Sequence, residues 1–319
     1  MFVVRLVYPE KWDNTFRHVP GFETGASVTI DGVTFTTEKT DEADLAVIVN
    51  FSPYELKMRA KEAWIFHQEP ANYKFFSHWI SAYKYADRVF GSWQKSVYGG
   101  KNLVQTQSSI FWQCPMGYDY YKNLKTQKTN NLCAITSAKT SFKGHKERLE
   151  FLYALKNKFN DTELEFEIKG RGISEIKTKD EILIPSKYTL AIENTSEPHY
   201  FTEKITDAFL CNCMPIYFGA TNIFEYFPEG SLIKLENLNV DEAQYIIKEA
   251  VQNNFYEKNI DKLNLAKDLA LNKYNFFFNI ISKIKEYDIL NKEMKNIYIP
   301  KSRQQKHPLL SKIKKMIKV

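Results

Sequence analysis

Lys187–Gly219 reads KYTLAIENTSEPHYFTEKITDAFLCNCMPIYFG. Tyr188–Ile192 is a short apolar run, long enough for a buried strand and too short for a helix. Glu193–His199 is polar and carries the breaker Pro198. From Thr202, apolar residues recur at helical spacing at Ile205, Ala208, Phe209 and Cys213. Pro215 forbids further helix and pushes Met214 toward extended backbone. A second apolar run, Ile216–Phe218, closes at Gly219. Strand, helix, strand at this length is the crossover of a parallel sheet, and such sheets take ligands at the carboxyl ends of their strands.

Lys204 falls in the first turn of this helix, where the backbone already presents about half a positive charge. Glu203 and Asp207 are nearby carboxylates that could offset it, and so could an anion bound by the free N–H groups of that helix end. A solvated lysine tolerating a small penalty is the plainer reading. The pattern repeats upstream. Leu132–Ile135 reads as a strand and 137–144 as a polar, cationic loop. His145–Phe159 reads as a helix with Leu149, Leu152, Tyr153 and Phe159 on one face and His145, Lys146 and Arg148 in its first turns. Two cation-loaded helix starts point to a shared anionic ligand, which Arg148 could grip bidentately.

The chain has 319 residues and 44% apolar content, enough for one large or two ordinary domains. With 23 Phe and 19 Tyr the core should be substantial. No stretch reaches the roughly 20 apolar residues of a membrane span. The start, MFVVRLVYPE, enters a strand-like run without a signal-peptide pattern. Cys114, Cys133, Cys211 and Cys213 form no C-x-x-C pair or zinc spacing and read as reduced thiols, which with the missing leader predicts a cytoplasmic protein. The sequons at Asn50 and Asn194 then read as chance.

Net charge is +6, yet Lys301, Arg303, Lys306, Lys312, Lys314, Lys315 and Lys318 give the last 19 residues +7, so the other 300 sum to −1. The basic pI therefore belongs to the tail, which argues against a nucleic-acid groove on the body. A non-catalytic anion- or nucleic-acid-binding protein remains the rival from another class. Within 308–319, Leu309, Leu310, Ile313, Met316 and Ile317 share one helical face and four lysines the other. That is the pattern of an interfacial helix on an anionic membrane, at the inner face; a frayed tail is the equal alternative.

Alternating strands and helices predict an α/β unit over 1–115, with strands at 2–8, 45–51, 63–66 and 88–91 and helices at 55–60 and 73–86. His67-Gln68-Glu69-Pro70 places a carboxylate just past a strand's carboxyl end, a position where function collects. Residues 116–130 read as a linker. A second α/β unit spans 131–300, with further strands at 164–168 and 232–235, a short helix at 180–184 and two or more amphipathic helices over 241–286. No G-x-x-x-x-G-K-[ST] loop is present, which excludes a P-loop ATPase.

Ala191-Ile192-Glu193-Asn194-Thr195, Tyr200-Phe201-Thr202-Glu203-Lys204-Ile205 and Met214-Pro215-Ile216-Tyr217-Phe218-Gly219 resemble, in order and spacing, the donor-binding signature of the α-1,3/4-fucosyltransferases, glycosyltransferase family 10. Arg148 with 149–155 and Phe166–Gly172 resemble the family's arginine-bearing helix and strand-Gly-Arg segment; Gln68-Glu69-Pro70 resembles its acidic motif.

The resemblance implies a GT-B fold: two Rossmann-like domains facing a cleft, with C-terminal helices, the N-terminal domain on the acceptor side and the other holding a GDP-sugar. It implies inverting transfer of L-fucose from GDP-fucose to a glycan hydroxyl, such as an α-1,3 position of a lipopolysaccharide side chain; another GDP-deoxyhexose is the alternative donor. Carried over, Glu69 is the base, Arg148 and Lys204 hold the diphosphate, and Asn194, Tyr200 and Glu203 bind the nucleotide sugar. One carboxylate suffices for inversion when the leaving diphosphate's charge is met by fixed donors. Without a D-x-D motif no metal is expected to be essential, and a divalent ion is an accessory at most.

Overall fold

The computed structural model of the protein describes residues 1–8, 15–70, 77–93, 98–107, 111–160, 162 and 164–302. The chain forms two compact α/β units, one from 1–14, 24–108 and 283–319, the other from 15–23 and 109–282.

In the first unit the strands are β1 (Phe2–Val7), β2 (Ser27–Ile30), β3 (Val33–Thr36), β4 (Leu45–Val49), β5 (Leu56–Ala60), β6 (Glu62–Phe66), β7 (Arg88–Gly91) and β8 (Leu103–Gln105), with helix α1 (Ser77–Tyr83) between β6 and β7. Seven of them form one sheet in the order β2-β3-β1-β4-β6-β7-β8, parallel except at β2–β3. All five residues of β4 and of β6 are buried, which is why both read as apolar runs without alternation.

The second unit begins with α2 (Tyr118–Asn123), followed by β9 (Asn130–Ile135), α3 (Lys143–Phe159), β10 (Phe166–Lys169), α4 (Asp180–Leu183), β11 (Ser186–Ile192), α5 (Glu203–Leu210), β12 (Met214–Phe218) and β13 (Ile233–Lys234). Helices α6 (Val240–Gln252), α7 (Phe255–Lys258), α8 (Ile260–Asp268) and α9 (Phe276–Glu286) follow, then β14 (Lys295–Ile299). The sheet order is β10-β9-β11-β12-β13, all parallel. From β9 the chain steps outward to β10, then returns to the other side of β9 for β11. The winding therefore reverses between β9 and β11, and the carboxyl ends of those two strands flank the crevice where doubly wound sheets bind ligands. Ile205, Ala208 and Phe209 of α5 are fully buried beneath this sheet, as their spacing predicts.

Several expectations change. Residues 56–60 are a strand, not a helix: Leu56, Met58 and Ala60 are buried while Lys57 and Arg59 are exposed, a period of two, and β14 pairs antiparallel with them. The expected linker contains α2, whose Tyr121 is fully buried and donates to Asp180 at 2.8 Å. Residues 283–300, expected with the second unit, cluster with the first, and 15–23 do the reverse. The buried face of α3 is Arg148, Phe151, Leu152, Leu155 and Phe159; Tyr153 is exposed. Residues 73–76 of the expected 73–86 helix and the expected tail helix over 308–319 lie outside the described residues.

Candidate functional site

The site is built on the ends of β9 and β11. Thr136 follows β9, and Glu193 and Asn194 follow β11. Arg148 is on the inward stripe of α3 and is 6% exposed. It donates from Nε to Thr136 Oγ1 at 3.0 Å and from Nη1 to Asn194 Oδ1 at 2.6 Å. The guanidinium is thereby fixed across the switch point instead of trailing into solvent. Gly144 makes this approach possible: a Cβ there would overlap the Asn194 carbonyl oxygen.

Glu193, absent from the set that resemblance implies, is the hub of the neighbouring helix start. Its carboxylate is fully buried. It accepts from Thr202 N and Thr202 Oγ1, both at 2.7 Å, and from Lys204 Nζ at 2.6 Å. Thr202 is the N-cap of α5, with its hydroxyl facing Lys204 N. Gly219 leaves the room, since a Cβ there would strike Glu193 Cγ and the Tyr217 hydroxyl. The offset to Lys204 expected from Glu203 and Asp207 thus comes mainly from Glu193. The reason is topological: Glu193 ends β11, directly under the start of α5.

Glu203 and Asp207 belong to Lys179. Lys179 Nζ is 2.6 Å from Asp207 Oδ2 and 3.6 Å from Glu203 Oε1. Asp207 also accepts from Gln113 N at 2.9 Å. Burial by itself would raise the Glu203 carboxyl, but Lys179 and then Lys204 outweigh it and hold the pKa at about 2. For Asp207 burial wins over Lys179, and its pKa is raised. A carboxyl held below its ordinary 4.5 stabilises the fold above that pH and loses the contribution as pH falls toward 2. Lys179→Met should therefore cost on the order of 3 kcal/mol above the unfolded carboxyl pKa. That gap to wild type should close as pH drops through the acid range. Urea midpoints measured against pH check it; a gap independent of pH would disconnect Lys179 from these carboxyls.

The cations converge. Burial, then Arg148, Lys204 and Lys139 in that order, depress the pKa of His145. Four basic side chains from two helix starts and one loop therefore share one electrostatic neighbourhood. His145 Nδ1 is buried with no hydrogen-bond partner among the described residues. Asn194 sits inside this cluster; Tyr200 does not present itself as clearly, being 4% exposed with its carbonyl accepting from the Tyr217 hydroxyl at 3.3 Å. An open groove of about 600 Å³ beside α3 is lined by Phe151, Ala154, Phe218, Leu238 and Val240, with Glu147, Glu150 and Glu236 among its polar residues.

Glu69 lies in the first unit, past the carboxyl end of β6, half-buried. Its loop is clamped. Trp93 Nε1 donates to the Glu69 carbonyl at 3.0 Å, and Gln68 N donates to Asn50 Oδ1 at 2.8 Å. Buried His67 hydrogen-bonds Tyr83, and burial lowers its pKa well below the ordinary value against a hydrogen bond to the Glu69 backbone, so the imidazole is neutral. The Asn50 and Asn194 side chains both accept hydrogen bonds in these networks.

Two doubly wound units, with a cation-lined switch point in the second, define the GT-B class of glycosyltransferase folds. Solved structures share it: an α1,3-fucosyltransferase at 15% identity (TM-score 0.52, 91% of this chain and 90% of that one) and an Escherichia coli protein bound with UDP-2-fluoro glucose at 8% identity (TM-score 0.56, 92% and 100%). The profile of glycosyltransferase family 10 (fucosyltransferase), C-terminal part, matches residues 125–260. The α-(1,3)-fucosyltransferase FucT of Helicobacter pylori is 32% identical over 117 residues, 33% of this chain and 24% of that protein. The 4-galactosyl-N-acetylglucosaminide 3-α-L-fucosyltransferase 9 of Bos taurus is 31% identical over 121 residues, 36% and 33%. The likeness to glycosyltransferase family 10 is carried by the second unit. The chain aligns with only a quarter to a third of the length of these curated relatives.

Proposed function

We propose that this protein is an inverting glycosyltransferase that moves L-fucose from GDP-fucose to a glycan hydroxyl, in α-1,3 linkage on a lipopolysaccharide-type oligosaccharide. The observation that carries the donor half is the placing of Arg148, fixed by Thr136 and Asn194, and of Lys204, held by Glu193, at the starts of α3 and α5. A diphosphate bound there meets backbone N–H donors, two fixed cations and an imidazole with an unspent nitrogen. Arg148 and Lys204 would hold the diphosphate, and Asn194, Tyr200 and Glu203 the rest of the nucleotide sugar. Glu69 would take the proton from the acceptor hydroxyl as that oxygen bonds to the sugar's anomeric carbon and the bond to GDP breaks. The positive cluster stabilises the GDP as it leaves, so the chemistry requires no second acid.

Calorimetric titration with GDP tests the donor half. Lys204→Ala removes a charge-assisted contact and is expected to weaken GDP binding by about 10- to 100-fold. Wild-type affinity in that variant would take Lys204 out of the diphosphate site. A donor panel separates fucose from another GDP-deoxyhexose: turnover with the latter alone would replace the donor named here.

No described helix is long and apolar enough to cross a membrane. We place the protein on the inner membrane face through residues 308–319 of its basic tail. Flotation with anionic liposomes is expected for the full chain and not after removal of 301–319; equal flotation of both would refute the anchoring.

A further inference from the structure

Away from the cations, at the other end of α5, the second unit buries four thiols. Cys114, Cys133, Cys211 and Cys213 are each fully buried. Their sequence spacing offers nothing to a metal, but the fold brings two of them onto a carboxylate. Cys114 Sγ and Cys211 Sγ are 3.8 Å apart, and Cys211 Sγ is 3.8 Å from Asp180 Oδ1. The donor atoms of all three residues lie within 4.8 Å of one another. Two thiolates at roughly 2.3 Å from a tetrahedral zinc stand about 3.8 Å apart, and a thiolate and a carboxylate oxygen at roughly 2.0–2.2 Å stand about 3.5 Å apart. The cluster already has nearly those separations, without rearrangement of its backbone.

Two further features fit a bound cation. Tyr121 donates to both Asp180 oxygens, at 2.8 and 3.1 Å, which orients the carboxylate as outer-shell donors do at metal sites. Lys128 and Lys267 are both within electrostatic reach of Cys211. Lys128 Nζ donates to the carbonyls of Ile184 and Cys211 at 2.8 and 2.9 Å, and Lys267 Nζ to Asn212 Oδ1 at 2.9 Å. Their acceptors are thus neutral oxygens, and two thiolates with a carboxylate around a divalent ion sum to −1, a counter-charge for the half-buried Lys128 and the buried Lys267.

We propose that Cys114, Cys211 and Asp180 form a structural site for a divalent zinc-like metal. Binding displaces the two thiol protons to solvent and forms two sulfur–metal bonds and one oxygen–metal bond. Asp180 is half-buried, so water on its exposed side completes the tetrahedron. Cys114 precedes α2, Asp180 opens α4 and Cys211 caps the end of α5. The metal would therefore pin α5, whose other end carries Lys204, to two segments distant in sequence. The inference is independent of the transfer reaction.

Cobalt(II) titrated into the reduced, metal-stripped full-length protein tests it. One equivalent should saturate, giving thiolate-to-cobalt charge-transfer absorption and intense visible bands of a tetrahedral ion, and zinc should bleach both. Cys211→Ser should lose most of the charge-transfer intensity, Cys213→Ser should keep it, and Tyr121→Phe should weaken cobalt binding by about 10-fold. In unmutated protein, zinc should protect Cys114 and Cys211 from alkylation, a readout that does not depend on a variant folding. Absence of saturable tetrahedral cobalt, unprotected thiols, or a spectrum that follows Cys213 instead of Cys211 would overturn the site.

Discussion

Glu69→Gln is expected to lower turnover by about 10²- to 10⁴-fold, the range general-base catalysis supplies, while GDP affinity stays at its wild-type value. The substitution keeps the size of the side chain and removes only its ability to take a proton. The backbone that positions residue 69 does not depend on the carboxylate: Trp93 holds the carbonyl, Asn50 holds Gln68 N, and neutral His67 underlies the loop. The variant should therefore fold normally. Single-turnover transfer from GDP-fucose, beside GDP titration of the same preparation, separates the two properties. Transfer surviving at more than about a tenth of wild type would assign the base elsewhere.

The second large effect is on stability. Glu193→Ala is expected to cost about 3–5 kcal/mol, the usual cost of breaking a buried ion pair from one side. Glu193 accepts three hydrogen bonds from the cap of α5, from Thr202 N, Thr202 Oγ1 and Lys204 Nζ. Its loss leaves an ammonium that is four-fifths buried without its carboxylate and an N-cap without its anchor. For a unit of this size the melting temperature should fall by on the order of 10 °C. GDP affinity should fall with it, because Lys204 would no longer be aimed. Glu193→Gln keeps acceptors for Thr202 and should recover part of the stability. A melting temperature within a degree or two of wild type for the alanine variant would mean that Thr202 and Lys204 hold the helix start without Glu193.

How legible this was depends on the range of the interactions. Strands β4, β6, β9 and β11 and helices α3 and α5 announce themselves through local period and apolar run, and the structure keeps them within two or three residues, α5 ending at Leu210 before the expected Cys213. The error at 56–60 has a physical cause. LKMRA alternates with period two, but its partner β14 lies more than 200 residues away, so nothing local identifies the strand. Lys204 and Arg148 were visible as cations at helix starts because helix position is a local property. Glu193 and Lys179 were not singled out. Glu193 acts because β11 ends beneath α5, and Lys179 because α4 lies against α5, and both are facts of packing.

By itself the sequence determined the strand-helix alternation of the second unit, the resemblance to a family signature and the two cations at helix starts, since each is written in local period or in a contiguous motif. Only the tertiary structure decided which carboxylate neutralises which lysine, that Arg148 is fixed between Thr136 and Asn194, and that Cys114, Asp180 and Cys211 meet. Charge compensation and ligation act over a few ångströms in space, whatever the separation along the chain, so they appear when the strands are ordered and not before.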